Sequence, residues 1–228
     1  MDIKATLLPL LGERIINNNT FNKTSVMMWA CDLIAQGYQS KHLTKLSQLD
    51  RQRHSTVEKY FNCTLEELSL DMPCEEEAVF ILAYAKDVAQ AVIIDELLPQ
   101  DALGKFLDII EYTKNDPRYM DFSKIIMEIH LLNSKKQGLG SGMTLHNAAQ
   151  YIKEECRLFL AMESLDIPIA ERMKSYCNQC EDFVRYTYET TPDNTIMYIC
   201  PRCHCPDILL PFQQVKRKLI KKYSPVLI

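Results

Sequence analysis

AVFILAYAKDVAQAVIIDELL, residues 78–98, opens with the most apolar segment of the chain, Ala78 to Ile94, and its few polar residues decide how it is read. Lys86, Asp87 and Gln90 fall on one thin strip, while most of the remaining circumference is apolar. A helix that is apolar on nearly every side must be surrounded by other helices. A membrane span would need about 20 apolar residues with few charges, and Lys86 and Asp87 interrupt this run in its middle. The stretch therefore predicts the central helix of a mainly α, multi-helix domain. Glu75-Glu76-Glu77 ahead of it suits a first turn, where the helix dipole favours exposed carboxylates by roughly 0.3–1 kcal/mol each. Pro73 is expected to announce the helix and Pro99 to stop it.

The same periodicity extends to both sides. Upstream, Thr24 is expected to cap a helix carrying Val26, Trp29, Ala30, Leu33 and Ile34, which Gly37 ends in a left-handed turn. Trp29 and the Met27-Met28 pair are read as core. A short helix after Ser40 brings Leu43, Leu46 and Leu49 inward. Ser55-Thr56-Val57-Glu58 has the spacing of a capping box and opens a helix presenting Val57, Tyr60 and Phe61. Downstream, Asp101 is expected to cap a helix with Leu103, Phe106, Leu107 and Ile110 on one face. Asp121 to Asn133 repeats the pattern with Phe122, Ile125, Ile126, Ile129 and Leu132. Lys135 to Gly142 holds three of the six glycines and reads as a loop, matching neither a P-loop nor a Rossmann turn. Thr144 then caps a long helix with Leu145, Ala148, Ala149, Ile152, Cys156 and Phe159 inward.

The chain has 228 residues, 47% apolar and 25% charged, which is ordinary globular composition and excludes disordered and collagen-like readings. Its net charge of -4 argues against a surface that coats nucleic acid throughout. The opening MDIKATLLPLLGERI lacks the basic leader and cleavage site of a secretory signal, so a cytoplasmic location is expected.

Of nine cysteines, Cys177, Cys180, Cys200, Cys203 and Cys205 crowd into 29 residues. Pairs separated by two residues suit metal thiolates better than a disulfide framework, which would spread its partners. Cys177-Asn178-Gln179-Cys180 and Cys200-Pro201-Arg202-Cys203 form two knuckles whose four sulfurs can close a tetrahedron about one Zn2+. Phe183 to Glu189 reads as a strand, Thr191 to Asn194 as a turn, and Ile196 to Ile199 as the returning strand. Residues 177–203 thus resemble a zinc ribbon. The resemblance implies a metal-binding hairpin and is silent on function, because such modules dock proteins, bind nucleic acid or simply staple structure. Glu181 and His204 stand where ribbons often carry a small residue. Cys203 is preferred as the fourth ligand, with Cys205 as its competitor. Four thiolates leave no open position for water, which points to a structural metal rather than a catalytic one.

The chain is accordingly divided into an α-helical domain over 1–170, a zinc ribbon over 171–210 and a basic amphipathic helix over 211–228. The last 23 residues hold five bases and one acid, net +4, so the rest carries -8. Phe212, Val215, Leu219 and Tyr223 form a stripe, with Lys216, Arg217, Lys218, Lys221 and Lys222 placed elsewhere on the helix. Docking on the protein's own acidic helices is preferred for these bases, with a partner surface as the alternative. Arg185, Tyr186, Tyr188 and Arg202 are the corresponding candidates on the ribbon, where alternation separates Arg185 from the two tyrosines. The five histidines are isolated and no carboxylate pair stands out, so no acid–base chemistry is assigned. A helical enzyme would need a deep polar pocket with perturbed groups. The expected function is a non-catalytic, zinc-stabilised interaction protein with a protein partner, and neutralisation of a basic partner, as in toxin immunity, fits that role. The alternative is a nucleic-acid-associated accessory protein using the ribbon and the terminal lysines.

Overall fold

A computed structural model describes residues 3–49, 54–70, 75–134, 138–190 and 196–224. Pro73, the Lys135 to Gln137 part of the glycine segment and the Thr191 to Asn194 turn lie outside the described residues. The protein is mainly α, with a small antiparallel strand region near the carboxyl end that carries the clustered cysteines. It divides into two compact units. One is residues 1–88 with 111–113; the other is 89–110 with 114–228.

In the first unit, α1 (Ile3–Ile16), α2 (Lys23–Ala35), α3 (Lys41–Leu46) and α4 (His54–Glu67) precede the start of α5 (Glu77–Ile93). Leu7, Val26, Leu33, Leu43, Leu46, Val57 and Phe61 are buried in its core. Phe61 packs against Phe21 and Trp29 at 4.5 and 5.5 Å between ring centres, and the Trp29 indole donates to Thr6 Oγ1 at 3.0 Å. The cap of α2 is Asn22, whose side chain accepts from the Thr24 amide, so Thr24 lies inside the helix it was expected to cap. Met28 and Ile34 are exposed, Met28 on the side of α2 away from Val26, Trp29, Ala30 and Leu33 and Ile34 at the edge of that buried face. Gly37 ends the helix at φ 93°. There Tyr38 donates to the Leu33 carbonyl and Gly37 to that of Ile34, the paired bonds of a Schellman turn. Ser55 sits one residue inside α4, which begins at His54.

Glu67, at the end of α4, anchors the start of α3. It accepts from Ser40 Oγ and, at 3.1 Å, from the His42 amide, and its second oxygen lies 2.6 Å from His42 Nδ1. The Ser40 and His42 hydrogen bonds hold its carboxyl at about 2, against an ordinary 4.5. A depressed carboxyl stabilises the fold above its unfolded pKa and ceases to as pH falls through the folded value. Glu67→Gln is therefore expected to lower the melting temperature at pH 7. The gap from the unsubstituted protein should close between pH 4.5 and about 2.

Gly12 marks a close approach of two helices in this unit. A Cβ there would lie 2.1 Å from the Phe80 carbonyl oxygen of α5 and 2.8 Å from Tyr84 Cβ. Alanine gains about 1 kcal/mol of helix propensity over glycine, but overpacking against fixed backbone typically costs about 1–3 kcal/mol and more in tight sites. Overlap wins here. Gly12→Ala is expected to be net destabilising by about 1–2 kcal/mol in denaturant titration, whereas a freely accessible helical glycine would gain stability.

The central helix ends earlier than the apolar run suggests. Asp95 adopts φ 63°, with Glu96 donating to the Ala91 carbonyl and Asp95 to that of Val92, another Schellman closure without glycine. Pro99 then begins the next helix, α6 (Pro99–Tyr112), rather than stopping α5, so Asp101 lies within its first turn. Pro is preorganised for the first helical position, where its missing N–H has no partner to lose. In the second unit, Phe106 of α6 stacks on Phe122 of α7 (Met120–Asn133) with ring centres 3.5 Å apart. Phe159 of α8 (Ala148–Ser164) meets both edge-on. Thr144 and Asn147 bond reciprocally through side chain and amide, closing the turn that leads into α8. Leu145 and Ala149, expected inward, are exposed, while Ala148, Ile152, Cys156 and Phe159 are buried. No described helix is long and apolar enough to cross a membrane.

After the short α9 (Ile169–Arg172), β1 (Ser175–Cys177) pairs with both β2 (Asp182–Val184) and β5 (Ile208–Leu209). A separate hairpin pairs β3 (Thr187–Thr190) with β4 (Ile196–Ile199). The strand expected from Phe183 to Glu189 is thus broken at Arg185-Tyr186 and feeds two sheets. Phe183 is drawn away from the hairpin into a cluster with Met162, Ile167, Val215 and Leu219. The terminal helix α10 (Gln213–Tyr223) packs on α8 through that cluster.

Candidate metal centre

Each knuckle is a tight turn between a strand and a returning segment, and each turns its sulfurs inward by the same local means. The Cys180 amide points at the Cys177 sulfur and the Arg202 amide at the Cys200 sulfur, both at 3.4 Å. The residue after each second cysteine takes a left-handed conformation, Glu181 at φ 51° and His204 at φ 55°. This is why ribbons favour a small residue there: a side chain with φ above zero carries a steric penalty of roughly 1–2 kcal/mol. The departure noted in the sequence leaves the backbone turn intact. Asn178 fastens the first knuckle to the segment after the second, with its side chain donating to Asp207 Oδ1 at 2.8 Å.

The sulfurs of Cys177, Cys180, Cys200 and Cys203 all lie within 4.8 Å of one another. Cys177 and Cys203 are 3.6 Å apart and Cys180 and Cys200 are 3.8 Å apart, far beyond a disulfide bond. A zinc tetrahedron with 2.3 Å bonds has edges of about 3.8 Å, so these four sulfurs have the spacing such an ion needs. Cys205 is outside this set; its sulfur receives the Asp207 amide at 3.4 Å and its carbonyl receives the Cys200 amide. Cys177 and Cys200 are fully buried, and with Val184 they form a small cluster of their own. Burial opposes ionisation of Cys200, but the amides of Cys203 and Arg202 aimed at its sulfur prevail and bring its thiol to about 6. The site can hold a metal ion with all positions filled by protein sulfur.

The candidate partner residues separate into several groups. Arg202 pairs with Asp182 at 2.6 Å on the ribbon surface. Arg185 is exposed, as are Tyr186 and Tyr188. On α10, Arg217 pairs with Glu154 at 2.9 Å. Lys218 and Lys222 lie over the Tyr176 and Phe183 rings at 4.2 and 5.1 Å, and Lys221 is exposed. Lys216, counted in the sequence with the outward bases, instead faces inward and is 3% exposed. Its ammonium pairs with Glu155 and, at 2.7 Å, with Asp121. For Lys216 and Arg217 the bases meet the protein's own acidic helix.

That inward lysine belongs to a polar cluster that sequence reasoning missed. Asp121, Lys124, Glu128, Tyr151, Glu155 and Lys216 surround a space about the size of one water molecule. Gln213 closes its edge by donating to the Tyr151 carbonyl at 2.8 Å. Burial alone would pull the Lys216 ammonium down, but Asp121 and Glu155 overcome it and hold the group above its usual value. Burial also raises the Glu155 carboxyl, which Lys216 offsets in part. The sequence did contain a signal. Glu155 lies three residues from Ile152 and four from Phe159, on the inward face of α8, and Lys216 stands three before Leu219 on the inward face of α10. Opposite charges at core positions of two helices are the mark of a buried pair. No protein-family model, curated protein or solved structure matches this chain.

Proposed function

We propose that residues 175–210 hold one structural Zn2+ through Cys177, Cys180, Cys200 and Cys203. On this reading the chain is a non-catalytic interaction protein whose metal-stapled ribbon docks a protein partner. The four-sulfur set with 3.6 and 3.8 Å spacings carries the metal assignment. Because every ligand position is supplied by protein, the ion would fix the knuckles and offer no place for substrate. The protein partner is favoured over nucleic acid because two of the five bases on α10 are withdrawn from phosphates, Lys216 by burial and Arg217 by its pair with Glu154, leaving Lys218, Lys221 and Lys222 exposed. Elemental analysis of protein purified without added metal should give about one zinc per chain. Zinc-free protein with oxidised cysteines would overturn the metal assignment. Affinity capture from cell lysate, with and without nuclease, tests the partner: capture that survives nuclease supports a protein, and capture abolished by it supports the nucleic-acid alternative.

A further inference from the structure

The β3–β4 hairpin is the most exposed part of the ribbon. Thr187–Thr190 is exposed throughout, and so is β4 up to Ile199. Register places Tyr188 opposite Tyr198 and Thr190 opposite Ile196. Tyr186, just ahead of β3, joins the same side, where its ring meets Tyr198 edge-on at 4.8 Å. One face therefore presents Tyr186, Tyr188, Thr190, Ile196 and Tyr198 without a single charge. Tyr188 and Ile196 are 67% and 57% exposed, among the positions where a folded chain gains most from cover. Among the described residues the two strands pair only with each other, so both edges of the sheet are open. Two strands alone are marginal in water, and open edges invite a further strand.

We propose that this hairpin docks an extended, basic segment of a partner protein, which joins an edge as a third strand and lays alternate apolar side chains on the tyrosine face. The inference deepens the ribbon-docking reading and rests on it. Three properties select this occupant. Residues 175–210 hold Arg185 and Arg202 against Glu181, Asp182, Glu189, Asp193 and Asp207, two bases and five acids for a net of -3, which repels phosphates and attracts a basic chain. A second copy would bring the same negative module against itself. Moreover, three half-exposed tyrosines offer on the order of 300 Å², well short of the ~800 Å² per partner of a stable interface. Strand addition needs less side-chain area because the main-chain ladder supplies affinity.

Random-sequence peptides displayed on phage and selected on the full-length chain test this. The expected peptides alternate apolar and polar residues, are rich in Lys and Arg, and bind more weakly as salt rises. Tyr188→Asp should weaken them about tenfold or more, while Tyr188→Phe keeps them. Because Tyr188 is largely exposed, neither change disturbs a buried core, and Tyr188→Thr, which removes the ring but favours a strand, should weaken the peptides as Tyr188→Asp does; peptides kept by Tyr188→Thr would overturn the proposal. Recovery of no peptides, of acidic or helical ones, or of peptides indifferent to Tyr188→Asp overturns the proposal. So does a dimer, or binding of a short oligothymidine, that Tyr188→Asp abolishes. Zinc content of the same preparation separates the two readings: zinc-bound protein that recovers no peptides loses only the docking face, and zinc-free protein that recovers the expected peptides loses only the staple.

Discussion

Replacing Cys177 by serine is expected to abolish zinc binding and unfold the ribbon. A serine hydroxyl is not ionised near neutral pH and cannot replace a thiolate, so the set of four sulfurs falls to three. The strands it closes are two to four residues long, and the cluster around it contains Val184 with only cysteines fully buried beside it. That is too little apolar burial to order the knuckles, whereas structural zinc contributes about 10–16 kcal/mol in isolated zinc-finger peptides. The damage should reach α10 in part, because Phe183 of β2 packs with Val215 and Leu219. Elemental analysis should fall from about one zinc per chain to almost none. Hydrogen exchange should lose protection in β1, β2 and the first turns of α10 and retain it in α2 to α4. Far-ultraviolet circular dichroism should change little, since most of the signal is helical. Cys205→Ser serves as the control and should keep its zinc, because the Cys205 sulfur stands outside the set. A Cys177→Ser protein with a protected ribbon would show that packing, not metal, holds these strands.

The helices were legible because their signal is periodic and local. Residues 78–98 had to be a core helix on circumference alone, and Ser40 and Gly37 mark their helix ends by chemistry that needs no tertiary partner. The ends that depend on neighbours were not legible. Asp95 takes the left-handed place usually left to glycine, and nothing local distinguishes it from an ordinary helical aspartate. Pro99 could stop one helix or start another, and the preceding Schellman turn decides which. The four sulfurs were readable from spacing, because a knuckle is defined within four residues. The break between β2 and β3 was not, since Phe183 leaves the hairpin for Met162 and Leu219, which lie 21 and 36 residues away in sequence. The Asp121–Glu155–Lys216 cluster joins three helices, so its charges look like ordinary solvated residues until α7, α8 and α10 are brought together.

The inward lysine gives the largest effect expected away from the ribbon. Lys216→Met keeps the length and apolar stem of the side chain but removes the charge between Glu155 and Asp121. Glu155 is 3% exposed, and removing one partner of a buried pair typically costs about 3–5 kcal/mol because the other charge is left uncompensated. Asp121 retains Lys124 at 2.8 Å, so the penalty falls chiefly on Glu155. A buried carboxyl without its cation has a folded pKa above the unfolded value. Such a group favours the fold below the unfolded pKa and disfavours it as pH rises through the folded one. Denaturant titrations should therefore show the largest gap between Lys216→Met and the unsubstituted protein near neutral pH, narrowing towards pH 4.5, the ordinary glutamate value. Adding Glu155→Leu should recover most of the loss, since an apolar replacement of a buried pair is often neutral or stabilising; Gln213 would keep its bond to the Tyr151 carbonyl. A Lys216→Met penalty independent of pH, and untouched by Glu155→Leu, would mean that packing of the lysine stem, rather than its charge, fastens α10 to α8.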